Sequence, residues 1–124
     1  MISIHNLTKE FNYNKQKVTA LENVTFTIEK GDIFGIIGFS GAGKSTLLRM
    51  INALEVPTTG YVEIDGVNIN SLNFNELRKI RKRIGMVFQQ FNLLNAKSVY
   101  DNVAIPLVLN GVPKKTIDKK VKSL

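Results

Sequence analysis

The first part of the chain has the residue pattern of β-strands. Residues 24–28 alternate strictly between apolar and polar side chains, which is typical of a strand with one buried face. The wider stretches 1–11 and 18–29 are both predicted to be strands. Residues 33–38 form a continuous apolar run, which is typical of a strand buried on both faces.

A helix is predicted next, over residues 44–54. At helical spacing its apolar face consists of Leu47, Leu48, Ile51 and Leu54. Pro57-Thr58-Thr59-Gly60 then breaks the chain. Two short strand patterns follow, at 61–64 and 67–69, on either side of Asp65-Gly66. This dipeptide favours the positive φ angles of a tight hairpin, so a hairpin is predicted here.

The second half of the chain is predicted to be mostly helical. A short basic helix is expected at 75–83, a buried strand at 84–88, and an irregular polar stretch at 89–96. Ser98 is a suitable N-cap for a helix that runs to Asn110 and is followed by Gly111. In the last helix, Pro113 suits the first turn, and three apolar residues recur at helical spacing: Ile117, Val121 and Leu124.

Composition limits the class of protein. The chain has 124 residues, 44% of them hydrophobic, which is enough for a core of domain size. No apolar run approaches the roughly 18 residues that cross a bilayer, and the N-terminus lacks the pattern of a signal peptide. Cysteine is absent, which excludes disulfides and thiolate metal sites. A cytosolic or cytosol-facing protein is expected.

The formal net charge of +7 is compatible with nucleic acid, an anionic membrane surface or a phosphate ligand. Lys and Arg cluster at 78–83 and at 114–122, both within predicted helices, and such runs are usually solvated helix faces. Neither cluster is interleaved with aromatic residues, as binding of single-stranded nucleic acid would favour. No nucleic acid partner is expected.

Residues 38–45 carry the clearest chemical motif, since they fit the phosphate-loop pattern G-x-x-x-x-G-K-[ST]. Glycines allow successive N–H groups to turn toward phosphate oxygens, and the following helix adds its positive dipole end. Lys44 can reach the β- and γ-phosphates, Ser45 can ligand Mg²⁺, and Thr46 can approach the α-phosphate. The predicted binding residues of the loop are Gly38, Ser40, Gly41, Ala42, Gly43, Lys44, Ser45 and Thr46.

The alternative for this stretch is a glycine-rich turn between a strand and a helix. The motif arises by chance in roughly 4 of 1,000 chains of this length. An apolar strand pattern precedes it and a helical pattern follows it, as a phosphate loop requires, so the phosphate loop is the better interpretation.

GFSGAGKST resembles the Walker A motif of ATP-binding-cassette proteins, and three other features are similar to that family. Two strand patterns precede the loop, YVEIDGVNI resembles the family's glycine-containing hairpin, and IGMVFQQFNLL resembles its Q-loop. The resemblance covers the whole chain. Within the family, stretches such as LEVPTTGYVEIDG and GVPKK are most similar to subunits that energise methionine import. Other amino-acid importers and lipoprotein exporters share much of this sequence.

The resemblance implies a fold and two further site residues. The fold is α/β: the N-terminal portion of a P-loop NTPase domain of cassette type, with an antiparallel β subdomain and the start of the core and helical subdomains. By resemblance Gln89 is the Q-loop glutamine that contacts Mg²⁺ or its water, with Gln90 as the alternative. Phe11 stands where the family has an aromatic ring that stacks on adenine; Phe11 as a core residue and Tyr13 as the stacking ring are the alternatives.

Three parts of the family pattern are absent from the sequence: the signature motif, the Walker B strand with its Asp-Glu pair, and the switch histidine. The family's general base lies in the Walker B segment, so no catalytic residue is expected in this chain. We expect residues 1–124 to be a single, partial ATP-binding domain that is truncated before those motifs.

The expected function is that of an ATP-binding subunit, with ATP and Mg²⁺ as cofactors, that energises amino-acid import by ATP hydrolysis in the full-length protein. The implied partners are membrane-embedded permease subunits contacting residues 89–110, a second copy of the ATPase subunit and, indirectly, a substrate-binding protein. The subunit itself is expected to lie peripherally at the cytoplasmic side of the membrane. A binding module without chemistry, and a cassette protein acting on DNA or ribosomes, are the alternatives.

Overall fold

The structure, a computed structural model, describes residues 1–124. The elements are β1 (Ile2–Tyr13), β2 (Gln16–Ile28), α1 (Lys44–Ile51), β3 (Thr59–Ile64), β4 (Val67–Asn68), a 3₁₀ turn (Ile69–Ser71), α2 (Phe74–Arg81), α3 (Val99–Leu109) and α4 (Lys114–Lys122). The chain divides into two compact units, Met1–Ile84 and Gly85–Leu124. None of the helices is both long and apolar enough to cross a membrane.

The first unit is built on a four-stranded antiparallel sheet with the strand order β2-β1-β3-β4. The two predicted N-terminal strands are confirmed, and so is the hairpin, whose turn residues Asp65 and Gly66 have φ angles of 51° and 81°. The core lies between the sheet and α1, with partly buried residues of α2 packed against it. Its fully or nearly buried members are Ile4, Leu7, Leu47, Met50, Ile51, Val62 and Ile69.

The predicted apolar face of α1 is partly wrong. Leu47 and Ile51 are buried as expected, but Leu48 and Leu54 are 42% and 51% exposed. Met50, which lies outside the predicted face, is fully buried. Leu54 lies beyond α1, which ends at Ile51, so the helical spacing does not extend to it. Within α1 the buried face consists of Leu47, Met50 and Ile51, and Leu48 lies outside that face.

The two predicted buried strands, 33–38 and 84–88, are also wrong for this chain, because neither belongs to a strand. A strand requires a hydrogen-bonded neighbour, and the four paired strands of the sheet do not include these segments. As a result Ile33, Ile37 and Val87 are almost fully exposed.

Helix α2 begins where a capping box satisfies its first N–H groups. The Asn73 side chain accepts from the backbone N–H groups of Asn75 and Glu76, and the Glu76 side chain accepts from the Asn73 N–H. At the other end Arg81 donates to the carbonyl oxygens of Asn52 and Ala53, at the end of α1.

The second unit pairs α3 with α4. The predicted N-cap Ser98 is confirmed, and its hydrogen bond lowers the pKa of the Asp101 carboxyl, the other member of a capping box. Gly111 follows the helix with a φ of 70°, also as predicted. Pro113 caps α4 rather than occupying its first turn. Ile117 is buried, whereas Leu124 lies beyond the helix and is exposed.

Candidate phosphate-binding site

The predicted phosphate loop leads directly into α1. A turn closed by the Ala42 N–H and the Phe39 carbonyl, 3.2 Å apart, brings the chain to Gly43, the N-cap residue of the helix. Gly41 and Gly43 have φ angles of 82° and 81°, in the left-handed region that suits glycine. Glycine at positions 41 and 43 is therefore suited to the course of the backbone.

Gly43 is also required by its neighbour on β2. A Cβ at this position would lie 2.3 Å from the Ala20 carbonyl oxygen and 2.9 Å from Leu21 Cδ2. Ala20 is the extra residue of a β-bulge, since Lys9 pairs with Leu21 while the next residue, Glu10, pairs with Thr19. The start of α1 thus packs directly against the bulge.

The N-terminal end of α1 is open and carries no negative charge. The first helical hydrogen bond runs from the Leu47 N–H to the Gly43 carbonyl at 2.9 Å, so the preceding N–H groups have no acceptor within the helix. No acidic residue lies in the first turn. The end of the helix is consequently favourable for an anion.

Lys44 reaches back over the loop. Its ammonium donates to the carbonyl oxygens of Gly38 and Phe39, both at 2.7 Å. These contacts hold a positive charge beside the N–H groups of α1. Ser45 is exposed and Thr46 is half-buried, while the remaining predicted loop residues, from Gly38 to Ala42, lie on an exposed stretch of backbone.

Phe11 lies near the end of β1 and is 38% exposed, so it is not a core residue. It pairs with Val18, which lies two residues along β2 from Ala20, about 7 Å in an extended strand. The ring is therefore on the part of the sheet against which the loop packs. Tyr13, the alternative stacking residue, is 70% exposed at the end of the strand.

Gln89 belongs to the second unit, together with Gln90. Both side chains are exposed and lie in a bend. The choice between them, and the assignment of Gln89 to the nucleotide site, stay predictions.

Two residues outside the predicted set also contribute to this region. Ala20 carries the carbonyl against which Gly43 packs. Lys9, on β1 opposite the bulge, lies over the Phe11 ring with its Nζ 4.9 Å from the ring centroid. For Lys9 the sequence contains one signal. Lys9 precedes Phe11 by two residues, and alternate residues of a strand share a face, so the two side chains are expected to be neighbours.

Comparison with known proteins identifies the class. The ABC transporter family model matches residues 21–124. The chain therefore belongs to the ABC transporter family, and its fold is the N-terminal portion of the ATP-binding cassette.

Similar proteins include methionine import ATP-binding proteins. The chain is 56% identical over 124 residues to MetN 2 of Bacillus anthracis and 54% identical over 121 residues to MetN 1 of Listeria monocytogenes. These matches cover 100% and 98% of this chain. They cover only 37% and 36% of the relatives, so the chain spans little more than a third of their length.

Among solved structures, the ATP-binding cassette MJ0796 is similar in two dimeric forms. In its post-hydrolysis state bound to ADP and Pi it matches with a TM-score of 0.92 and 38% identity, over 99% of this chain and 55% of that one. A second dimeric structure of this cassette matches with a TM-score of 0.90 and 40% identity, over 96% of this chain and 53% of that one.

Proposed function

We propose that the chain is the phosphate-binding part of an ATPase subunit that energises the import of an amino acid, methionine, through a membrane transporter. The observation that carries the proposal is the arrangement around Lys44. Its ammonium lies over a glycine loop that leads into the open N-terminus of α1. The 54–56% identity to methionine import ATP-binding proteins supports the choice of substrate.

In this proposal the loop binds the phosphates of ATP through three kinds of interaction. Backbone N–H groups at the start of α1 donate to phosphate oxygens, and the helix dipole favours their negative charge. Lys44 supplies a full positive charge. Phe11 stacks on the base, because its ring is partly exposed on the strand beside the bulge.

A magnesium ion accompanies ATP in the proposed site and would neutralise phosphate charge. Ser45 fits as a ligand, because its hydroxyl is exposed in the first turn of α1. The chain holds no cluster of three His, Cys, Asp or Glu residues that could bind a metal ion. Mg²⁺ bound with a nucleotide commonly takes most of its ligands from phosphates and water, with few protein groups. Gln89 is proposed as a further ligand, on the resemblance alone.

The proposed partners are the permease subunits of the transporter, a second copy of the ATPase subunit and, indirectly, a substrate-binding protein. Such a subunit would work peripherally on the cytoplasmic side of the membrane. The proposed contact with the permease is residues 89–110. Within this segment Phe91, Leu93 and Leu94 are 92%, 60% and 52% exposed, and exposed apolar groups among polar ones are typical of interaction sites.

Calorimetric titration of the chain with ATP and Mg²⁺ tests the phosphate site. Lys44→Ala is expected to weaken binding by about 10- to 100-fold, which is the worth of a charge-assisted hydrogen bond. Lys30→Ala is the matched control, because it removes the same charge from an exposed turn. Equal affinities of Lys44→Ala and Lys30→Ala would refute the assignment of the loop.

A further inference from the structure

Lys9 is held far more firmly than other lysines of the chain that form ion pairs. Its side chain is 13% exposed, compared with 72% for Lys17 and 69% for Lys122. The ammonium lies 2.6 Å from a carboxylate oxygen of Glu55 and donates to the Val56 carbonyl at 2.7 Å. An ammonium with two fixed acceptors has little freedom to move away.

The segment that binds Lys9 is itself fastened to β1 on both sides of this lysine. The Thr58 N–H donates to the Thr8 carbonyl at 2.8 Å, and the Thr58 hydroxyl accepts from the Glu10 N–H at 2.9 Å. The hydrogen bond from Lys9 lowers the pKa of the Glu55 carboxyl, so this partner is ionised at neutral pH. Lys9 therefore connects β1 to the segment after α1.

The ammonium also occupies one face of the Phe11 ring. Its Nζ lies 4.9 Å from the ring centroid, within the distance of a cation–π contact. Because Glu55 and Val56 fix the ammonium, the ammonium in turn restricts the ring. The ring keeps an exposure of 38%, which is surface that a flat ligand can cover.

The position of this ring relative to the phosphate loop follows from the bulge. Lys9 and Glu10 lie directly opposite the bulge residue Ala20, whose carbonyl contacts Gly43 at the start of α1. Lys9, which holds the ring, and Ala20, which contacts the loop, therefore lie at the same point in the pairing of β1 with β2.

We propose that Lys9 is a positioning residue for the nucleotide base: it holds the Phe11 ring from one face so that a purine can stack on the other. This rests on the proposed function, in which the loop binds the phosphates and Phe11 the base. The physical gain is preorganisation, since a ring already fixed loses little side-chain freedom when the base binds. Lys9 contributes to affinity for the base and not to affinity for the phosphates.

The test compares ATP with inorganic tripolyphosphate, which has the phosphates but no base. Magnesium complexes of both are titrated by calorimetry into the wild-type chain, Lys9→Met and Lys17→Met. Lys17 is the matched control, because it carries the same charge on the neighbouring strand and is exposed. Lys9→Met is expected to weaken ATP binding about three- to tenfold, the cost of ordering one side chain when the ligand binds. Tripolyphosphate binding by both variants should stay within about twofold of wild type. Neither lysine is proposed to contact the phosphates, and salt screens the effect of a more distant charge on their binding.

A double-mutant cycle with Phe11→Ala makes the test specific for the ring. In the Phe11→Ala background, Lys9→Met should no longer change ATP affinity. An equal loss of ATP and tripolyphosphate affinity in Lys9→Met, or an ATP affinity that does not change, would overturn the proposal. So would an undiminished effect of Lys9→Met without the Phe11 ring.

A second variant removes the risk that Lys9→Met fails to fold because Glu55 loses its partner. Lys9→Met combined with Glu55→Gln leaves no unpaired carboxylate, and the same selective loss of ATP affinity is expected. The control for the underlying function is Lys44→Ala. If tripolyphosphate binding does not depend on Lys44, the phosphate loop assignment fails; if it does depend on Lys44 and the Lys9 variants bind ATP normally, only the positioning role fails.

Discussion

Gly43 and the carbonyl of Ala20 are in such close contact that a single methyl group at Gly43 would lie 2.3 Å from the Ala20 oxygen. The contact joins the N-cap residue of the phosphate-loop helix to a bulge in the antiparallel sheet. Glycine at this position therefore has two functions. It supplies the backbone angle of 81° and leaves room for the sheet.

Gly43→Ala is expected to destabilise the chain by about 2–4 kcal/mol, since backbone strain at a positive φ adds to a clash with backbone. Gly41→Ala is the matched control, because Gly41 has a similar φ of 82° but no atom within 4 Å of its would-be Cβ. That variant should lose only about 1–2 kcal/mol. Urea unfolding of both measures the difference, and equal losses would contradict the packing argument.

The ion pair of Glu55 with Lys9 should make stability depend on pH. A hydrogen bond from Lys9 lowers the pKa of Glu55 below 4.5 in the folded chain. A lowered carboxyl pKa means that the stabilisation is present above pH 4.5 and is lost as the pH falls through the folded value. Wild type should therefore exceed Glu55→Gln in stability at pH 7, by less than about 1 kcal/mol because the pair is partly solvated.

Thermal unfolding between pH 3 and 7 measures this effect. The difference between wild type and Glu55→Gln should shrink below pH 4.5, and Glu22→Gln, at an exposed position on β2, serves as the control. A difference that stays constant over this range would show that the Glu55 charge does not stabilise the fold.

Turnover of ATP by the 124-residue chain is predicted to stay at background. The reason is chemical, because phosphoryl transfer depends on a group that orients the attacking water, and the sequence contains no apolar run ending in Asp-Glu. Phosphate release over several hours, with and without a chelator, measures the rate. A magnesium-dependent turnover of about 1 s⁻¹, ordinary for a competent enzyme, would contradict this prediction.

The proposed permease contact predicts that replacement of Phe91 and Leu93 by Ser impairs coupling to the permease in the full-length protein. These side chains are 92% and 60% exposed, so the double substitution should change stability little. Assembly with the permease and transport-coupled ATPase activity are measured separately from ATP affinity. Phe74→Ser is the control, because Phe74 is an apolar residue, 72% exposed, at the start of α2 and outside residues 89–110. Normal assembly and coupling by the double variant would exclude this contact.

The sequence predicted the elements whose signals are local. The hairpin at Asp65-Gly66 and the start of α3 at Ser98 depend on turn and capping chemistry within a few residues, and both are confirmed. The strands expected at 33–38 and 84–88 depend on pairing with other strands, which no local pattern contains. Their apolar runs predicted burial, whereas Ile33 and Ile37 are almost fully exposed.

For the candidate site, the motif predicted the loop but not its surroundings. The G-x-x-x-x-G-K-[ST] pattern placed Lys44 and Ser45 at the start of a helix, as the structure has them. The roles of Ala20 and Lys9 depend on a one-residue bulge in the pairing of β1 with β2. A shift of register follows from tertiary packing, so periodicity along the chain cannot show it.

The two hydrogen bonds of the Lys44 ammonium, to Gly38 and Phe39, make any phosphate a competitor for its donors. An ammonium has three N–H groups, so one remains after these two are used. A phosphate oxygen can accept from the third N–H group without displacing a carbonyl. Each further hydrogen bond to phosphate replaces one of the existing bonds to Gly38 or Phe39. The enthalpy of binding at this lysine is therefore a difference between two sets of bonds. Lys44→Ala removes the bonds of the ammonium to the loop carbonyls as well as its bonds to phosphate. The loss of affinity in this variant therefore measures the difference between the two sets, which is smaller than the full strength of the contact between lysine and phosphate.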